Sequence, residues 1–163
     1  MDRLDEFCYW LEELPLAITI GETWLFPLME SIHVIAAVFV LGSIVIADLR
    51  LLGWLGKSQP VLPLIRESIL WTWLAFAVAL VTGLAMFITR ATGYVYNPAF
   101  IWKLILLVLA GINMLYFHRR LYPQIASLSN QSQMPAMYRV SGAISLCLWL
   151  GVMLAGRWIG HIF

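Results

Sequence analysis

Charge is what this sequence has least of. Of its 163 residues, 12% are Asp, Glu, Lys or Arg and 62% are apolar, against about 25% and 45–50% in a soluble domain. That scarcity excludes a solvated globular surface. Ten basic and nine acidic side chains leave a net charge of +1, so there is no basic surplus to hold a nucleic-acid backbone. Cysteine is scarce too. Cys8 and Cys147 make no C-x-x-C and no recognisable zinc or haem-attachment pattern, and no disulfide between them is expected. The opening stretch is short of positive charge. Arg3 stands against Asp2, Asp5, Glu6, Glu12 and Glu13, the wrong sign for the start of a cleavable signal peptide, and none is expected. No internal repeat is evident.

Long apolar runs fill the chain instead. The most telling runs from Trp24 to Leu55, WLFPLMESIHVIAAVFVLGSIVIADLRLLGWL, where the fourteen residues 34–47 carry no charge. Polar groups crowd its ends: Glu30, Ser31 and His33 at one, Asp48 and Arg50 at the other. A helix over 28–52 would run roughly 37 Å, enough to cross a hydrocarbon core of ~30 Å. Similar runs follow at about 68–89, 99–117 and 138–162. Between them lie a Gly/Pro-containing loop over 53–67, a turn ATGYVYNP, and a Ser/Gln/Asn-rich stretch over 121–136. The expected fold is an all-α integral membrane protein with one domain over 1–163, an antiparallel four-helix transmembrane bundle with short loops. Residues 2–13 place Leu4, Phe7, Cys8 and Leu11 on one face and acids on the other, an amphipathic helix lying in the membrane interface. Residues 15–27 read as a lead-in, not a span.

Arg50, Lys57, Arg66, Arg119, Arg120 and Arg139 fall on one side of this bundle, and Arg3, Arg90, Lys103 and Arg157 on the other or in its helix ends. The six-to-four bias puts the loops 53–67 and 118–139 in the cytoplasm and both termini in the periplasm of a bacterial inner membrane. Gly151-x-x-x-Ala155 and Gly156-x-x-x-Gly160 let another helix approach closely. A homo-oligomer, dimer or trimer, is expected.

Ionisable groups inside spans are costly and are functional candidates by default. Depth sorts them. Counted from the middle of each span at 1.5 Å per residue, His33, Lys103 and Arg157 each lie roughly 10 Å outward, on three different helices. His161 lies roughly 16 Å outward, and His118 roughly 12 Å towards the cytoplasm. One haem therefore cannot take both His33 and His118; a second cofactor would be needed for His118. A neutral imidazole suits haem iron, and a cation such as Arg157 suits a propionate. Lys103, as the neutral amine, or His161 would be the second axial ligand, and Tyr94 and Tyr96 would cover a porphyrin edge. Each residue also has a plainer role: Lys103 snorkelling to the interface, His33 bonding across helices, Glu30 pairing with Lys103 or Arg157, His161 interfacial, His118 in a solvated basic end. A copper reading uses Met29 and His33, an i, i+4 pair of thioether and imidazole, with Met86, Met114 and Met153 as further sulfur. Asp48 and Arg50 are expected to salt-bridge to His118-Arg119-Arg120 and lock the bundle, and Asn113 to hydrogen-bond between helices.

The run His33-Val-Ile-Ala through Gly42 to Asp48-Leu-Arg50-Leu resembles the first helix of the HemJ-type protoporphyrinogen oxidases and the copper-resistance protein D (CopD) group. Trp102-Lys103-Leu104 through Tyr116-Phe117-His118 is similar to a later helix of theirs. The resemblance implies haem b at His33 and Lys103. The whole chain also resembles an uncharacterised bacterial family of four-span membrane proteins, through Glu30-Ser31-Ile32-His33, Asn97-Pro98-x-Phe100-x-x-Lys103 and Gly156-Arg157-Trp158. Three functions stay open. The first is a haem b protein, a redox enzyme or electron carrier with a quinone or redox protein as partner. The second is a copper-handling protein, and the third a structural or transport subunit without catalysis.

Overall fold

A computed structural model describes residues 2–55, 61–128 and 134–161. Residues 56–60 of the expected loop 53–67, residues 129–133 of the polar stretch, and residue 162 of the fourth run lie outside the described residues. Among the described residues every regular element is a helix: α1 (Arg3–Glu12), α2 (Pro15–Glu22), α3 (Leu25–Leu52), α4 (Val61–Thr89), α5 (Ala91–Val95), α6 (Pro98–Tyr116) and α7 (Ala136–Trp158).

Four stretches are long and apolar enough to cross a membrane: Leu25–Leu52, Ile69–Thr89, Pro98–Ile125 and Ala136–His161. They are apolar all round. Val34, Ile35, Val38 and Phe39 on α3, and Val81 and Leu84 on α4, point away from the protein, as they would towards lipid tails. The chain is consistent with a multi-pass membrane protein.

Element boundaries differ from the expected ones for local reasons. The lead-in contains a helix of its own, α2, opened by Pro15 at its first position, where a missing N–H costs nothing. Pro27 does not delay α3, because it sits in the first turn, whose N–H groups lack intrahelical partners anyway. Gly53 ends α3 in the left-handed conformation, φ 78°. Asn97 caps α6: its Oδ1 accepts from the N–H of Ala99 at 2.9 Å and of Phe100 at 3.3 Å. The third apolar stretch does not stop at Phe117. It widens into a π-helical turn, Phe117–Leu121, and tightens into a 3-10 turn, Tyr122–Leu128.

α3 packs on α4 and α7, and α7 on α3 and α6; α2 lies on α4 and α3, and α1 on α5 and α4. Polar side chains stitch these pairs. Ser43 meets Thr72 at 2.7 Å between α3 and α4. Asn113 donates to the Ser141 carbonyl at 3.2 Å between α6 and α7, as expected of an interhelical asparagine. The glycines of α7 serve contacts within the chain. A side chain at Gly151 would meet Leu106 at 3.1 Å, and one at Gly142 would meet Leu51 at 3.2 Å and the Asp48 carbonyl at 3.3 Å. Leu51, Phe117, Leu121, Ile125, Met134 and Tyr138 form the buried core at the Asp48 end. There the buried Tyr138 hydroxyl donates to the Leu121 carbonyl at 3.0 Å, satisfying a group that the π-to-3-10 change frees.

One expectation is corrected here. Asp48 does not lock onto His118-Arg119-Arg120. It is buried and takes a hydrogen bond from Ser145 of α7, and its Oδ2 has no partner. His118 gives its Nδ1–H to the carbonyl of Met114, one turn back, at 2.9 Å. Cys8 is buried and Cys147 exposed, and both thiols are free.

Candidate functional site

His33 lies in the third turn of α3 and faces α4. Its Nδ1 is 2.8 Å from the Ala79 carbonyl and 3.2 Å from the Thr82 hydroxyl. A carbonyl oxygen only accepts, so Nδ1 carries the proton and Nε2 keeps its lone pair. The Thr82 hydroxyl is turned to the Val78 carbonyl at 2.8 Å, within its own helix. Gly83 lets the ring lie this close: a Cβ there would stand 3.0 Å from His33 Cε1 and 3.4 Å from Nδ1. The imidazole is thus fixed in one orientation and one tautomer by backbone atoms.

Lys103, in the second turn of α6, is half-buried. Its stem lies along α7 at Gly156, where a Cβ would be 3.7 Å from Cδ, Cε and Nζ. The Lys103 charge is felt at His33 through space. Arg157, one residue beyond Gly156, is exposed in the last turn of α7, and His161 is exposed in the 3-10 turn Ile159–His161 that follows. Met29 is half-buried one turn before His33 on α3. Met114 lines a cavity with Asp48 and His118, at the other end of the helices; about 22 Å of α3 separates His33 from Asp48. No group of three or more His, Cys, Asp or Glu side chains able to hold a metal ion occurs among the described residues.

The two tyrosines of the short connection part company. Tyr94 turns into a ring cluster with Phe87 of α4 and Phe100 of α6, centroids 6.1 and 5.5 Å away, and those two phenylalanines stack at 5.6 Å. Burial pushes the Tyr94 phenol above its ordinary pKa; Arg90 opposes this and Glu30 adds to it. Tyr96 turns out instead and donates to Asp5 Oδ1 at 2.6 Å, a bond that holds its phenol above the usual range. The N-terminal acids thus have work that the sequence did not show. Glu12 Oε1 accepts from both the N–H and the hydroxyl of Thr92, at 2.8 and 2.6 Å. α1 is tied down over α5, next to the His33 end of the helices.

Residues 14–162 match the profile of a family described as a family of unknown function (DUF6644). The chain belongs to that family. The DUF6644 match takes in α2 through α7, and with them His33, Gly83, Lys103 and Asp48; α1 precedes it. No match to the chain is found among curated proteins or among solved structures.

Two features of the site escaped sequence reasoning. The Ala79 carbonyl carries no sequence signal at all. Gly83 carries a weak one: a glycine inside an apolar helix is disfavoured unless something approaches it closely.

Proposed function

We propose that this DUF6644 member is a haem b-binding integral membrane protein that carries electrons, with His33 Nε2 as an axial ligand. The observation behind this reading is the His33 Nδ1–H bond to the Ala79 carbonyl. Ligating histidines characteristically give their other N–H to a carbonyl or carboxylate, which fixes the tautomer and raises the basicity of the ligating nitrogen. Lys103, as the neutral amine, or His161 would supply the second ligand, and Arg157 at the rim would pair with a propionate. The likeness to HemJ-type proteins selects His33 and Lys103 independently of this geometry. Haem b would supply a one-electron redox centre. The chain's own residues orient the imidazole, through the Ala79 carbonyl and the space left at Gly83. In this reading the four long helices form an antiparallel bundle in a bacterial inner membrane. α1 lies in the outer interface, both termini are periplasmic, the protein is a homo-oligomer, and a quinone or redox protein exchanges electrons with it.

The same bond favours a second reading, in which His33 only ties α3 to α4 in a non-catalytic structural or transport subunit, as Ser43 and Thr72 do further along. The visible spectrum of the detergent-purified protein decides between them. A Soret band that persists through purification and is lost in His33→Ala is the expected result. Colourless protein, purified from haem-replete cells and unable to take up added haemin, sinks the haem reading. If that protein carries stoichiometric copper, Met29 and His33 become the ligands to test; if it carries no metal, the structural reading stands.

A further inference from the structure

At the opposite end of the long helices, Asp48 lines a cavity of about 80 Å³. Ile44, Leu51 and Phe117 form part of an otherwise apolar wall. Into it come Thr72 from α4, Asn113 from α6, Ser141 and Ser145 from α7, and His118 from the π-helical turn. Every one of the four long helices contributes a polar group. Asp48 is only 5% exposed, Ser145 bonds to it, and Oδ2 has no hydrogen-bond partner.

Among the described residues, no lysine or arginine lines the cavity. Arg50 is two residues along, roughly 200° round the helix; it does not line the cavity and has contacts of its own. His118 does line the cavity, but its Nδ1–H is given to the Met114 carbonyl, and the ring lies against Tyr122 at 5.8 Å between centroids. The neutral groups are held in place by bonds to one another. Ser141 Oγ donates to Asn113 Oδ1 at 3.3 Å, and Thr72 pairs with Ser43 at 2.7 Å. Each hydroxyl and amide oxygen keeps a lone pair beyond those bonds. A buried carboxylate oxygen without a hydrogen-bond partner, among fixed oxygen lone pairs, is satisfied either by a proton or by a cation that those same oxygens help to hold.

We propose that this cavity is a binding site for a small monovalent cation of the sodium class, with Asp48 as its charged ligand. The donors are oxygens, which suit hard cations and not soft ones. One carboxylate balances one positive charge, whereas a divalent ion would leave a net charge in a low-dielectric interior. The volume holds an ion and one or two waters, since a single water needs only about 10–15 Å³ of such space. The π-helical turn, a local widening frequent at functional sites, sets His118 at the cavity and frees the backbone around it. Nothing in this site depends on the haem reading, because it shares no residue with the His33 end.

The test uses the full-length protein in detergent at pH 7.5. Thermal unfolding is followed by intrinsic tryptophan fluorescence, with NaCl exchanged for choline chloride at constant ionic strength. The expected result is a saturable rise in Tm with Na⁺, absent in Asp48→Asn, with a half-saturating Na⁺ concentration at least tenfold higher in Ser145→Ala. The serine variant keeps the test alive if Asp48→Asn does not fold. Identical Tm values in sodium and choline overturn the proposal, as does a sodium effect of equal size and midpoint in wild type and Ser145→Ala. A Tm that moves with pH through Asp48 but ignores Na⁺ overturns it too and assigns the cavity to a proton. Tighter stabilisation by Ca²⁺ than by Na⁺ overturns the monovalent assignment.

Discussion

At the scale of single residues, the His33 site depends on the absence of one methyl group. The ring is held from one side by Ala79 and Thr82 and meets the backbone of α4 at Gly83, so it has little freedom to withdraw. Gly83→Ala puts a Cβ 3.0 Å from Cε1, and relieving that contact shifts the ring off the Ala79 carbonyl. Overpacking of this kind costs about 1–3 kcal/mol. Gly111→Ala is the matched control: nothing lies within 4 Å of its Cβ, and the change should stabilise α6 by up to about 1 kcal/mol through helix propensity. Thermal or denaturant unfolding in detergent should move in opposite directions for the two variants. Equal shifts would show that the ring is not pinned against α4. The sequence made His33 and Lys103 legible, because an ionisable residue in an apolar run announces itself and helical rise converts residue count into depth. It could not show that the imidazole would be held by a main-chain carbonyl, since a carbonyl has no letter. Nor could it show that Asp48 would be passed over by the His118-Arg119-Arg120 cluster. Those basic residues follow the third run closely, but the helix continues past Phe117 and widens, so His118 bonds one turn back and Asp48 meets Ser145 instead.

At the scale of elements, the acids of α1 read from sequence as one face of an interfacial helix, and as such they had no individual partners. Contacts some eighty to ninety residues away give two of them definite jobs, Glu12 on Thr92 and Asp5 on Tyr96. No periodicity argument reaches that far. Cys8, on the same helix, is a reporter for this clamp. It is buried, and burial first, then Glu12 and Asp5, hold its thiol above its ordinary pKa. The thiolate is the nucleophile, so Cys8 in folded protein should alkylate slowly at pH 8 and speed up only at more alkaline pH, while SDS-unfolded chain returns to ordinary thiol behaviour. The sign for stability follows. A raised folded pKa means that the neutral thiol favours the fold below the unfolded value of about 8.5, and that this contribution fades as pH rises through the folded value. Glu12→Ala removes a charge and the clamp together, whereas Thr92→Val removes the hydroxyl bond and leaves the charge. Both should raise the alkylation rate several-fold. A rate unchanged in Thr92→Val would mean that the Thr92 N–H alone suffices to hold Glu12, and a rate unchanged in Glu12→Ala as well would mean that α1 is held by apolar packing on α4 and α5.

At the scale of the whole molecule, the four helices long and apolar enough to cross a membrane, and their order, were legible in composition. Orientation rests on a thinner margin, six basic residues against four, and Lys57 of the six lies outside the described residues. It can be read directly. Trp24 just before α3 and Trp54 just after it are 71% and 75% exposed and sit at opposite ends of one long helix, so single cysteines there report opposite faces. The two native thiols need little attention as background. Cys8 is buried, and Cys147 lies mid-way along α7 on a face that lipid would cover; replacing both with alanine makes the background clean. In intact cells or right-side-out vesicles, a membrane-impermeant maleimide should label Trp24→Cys and leave Trp54→Cys unlabelled until the membrane is opened. That outcome would put His33, Lys103 and the α1 clamp on the periplasmic side, and Asp48 with its cavity on the cytoplasmic side. The reverse pattern would invert the bundle, and any electron partner of His33 would then have to be sought on the cytoplasmic face.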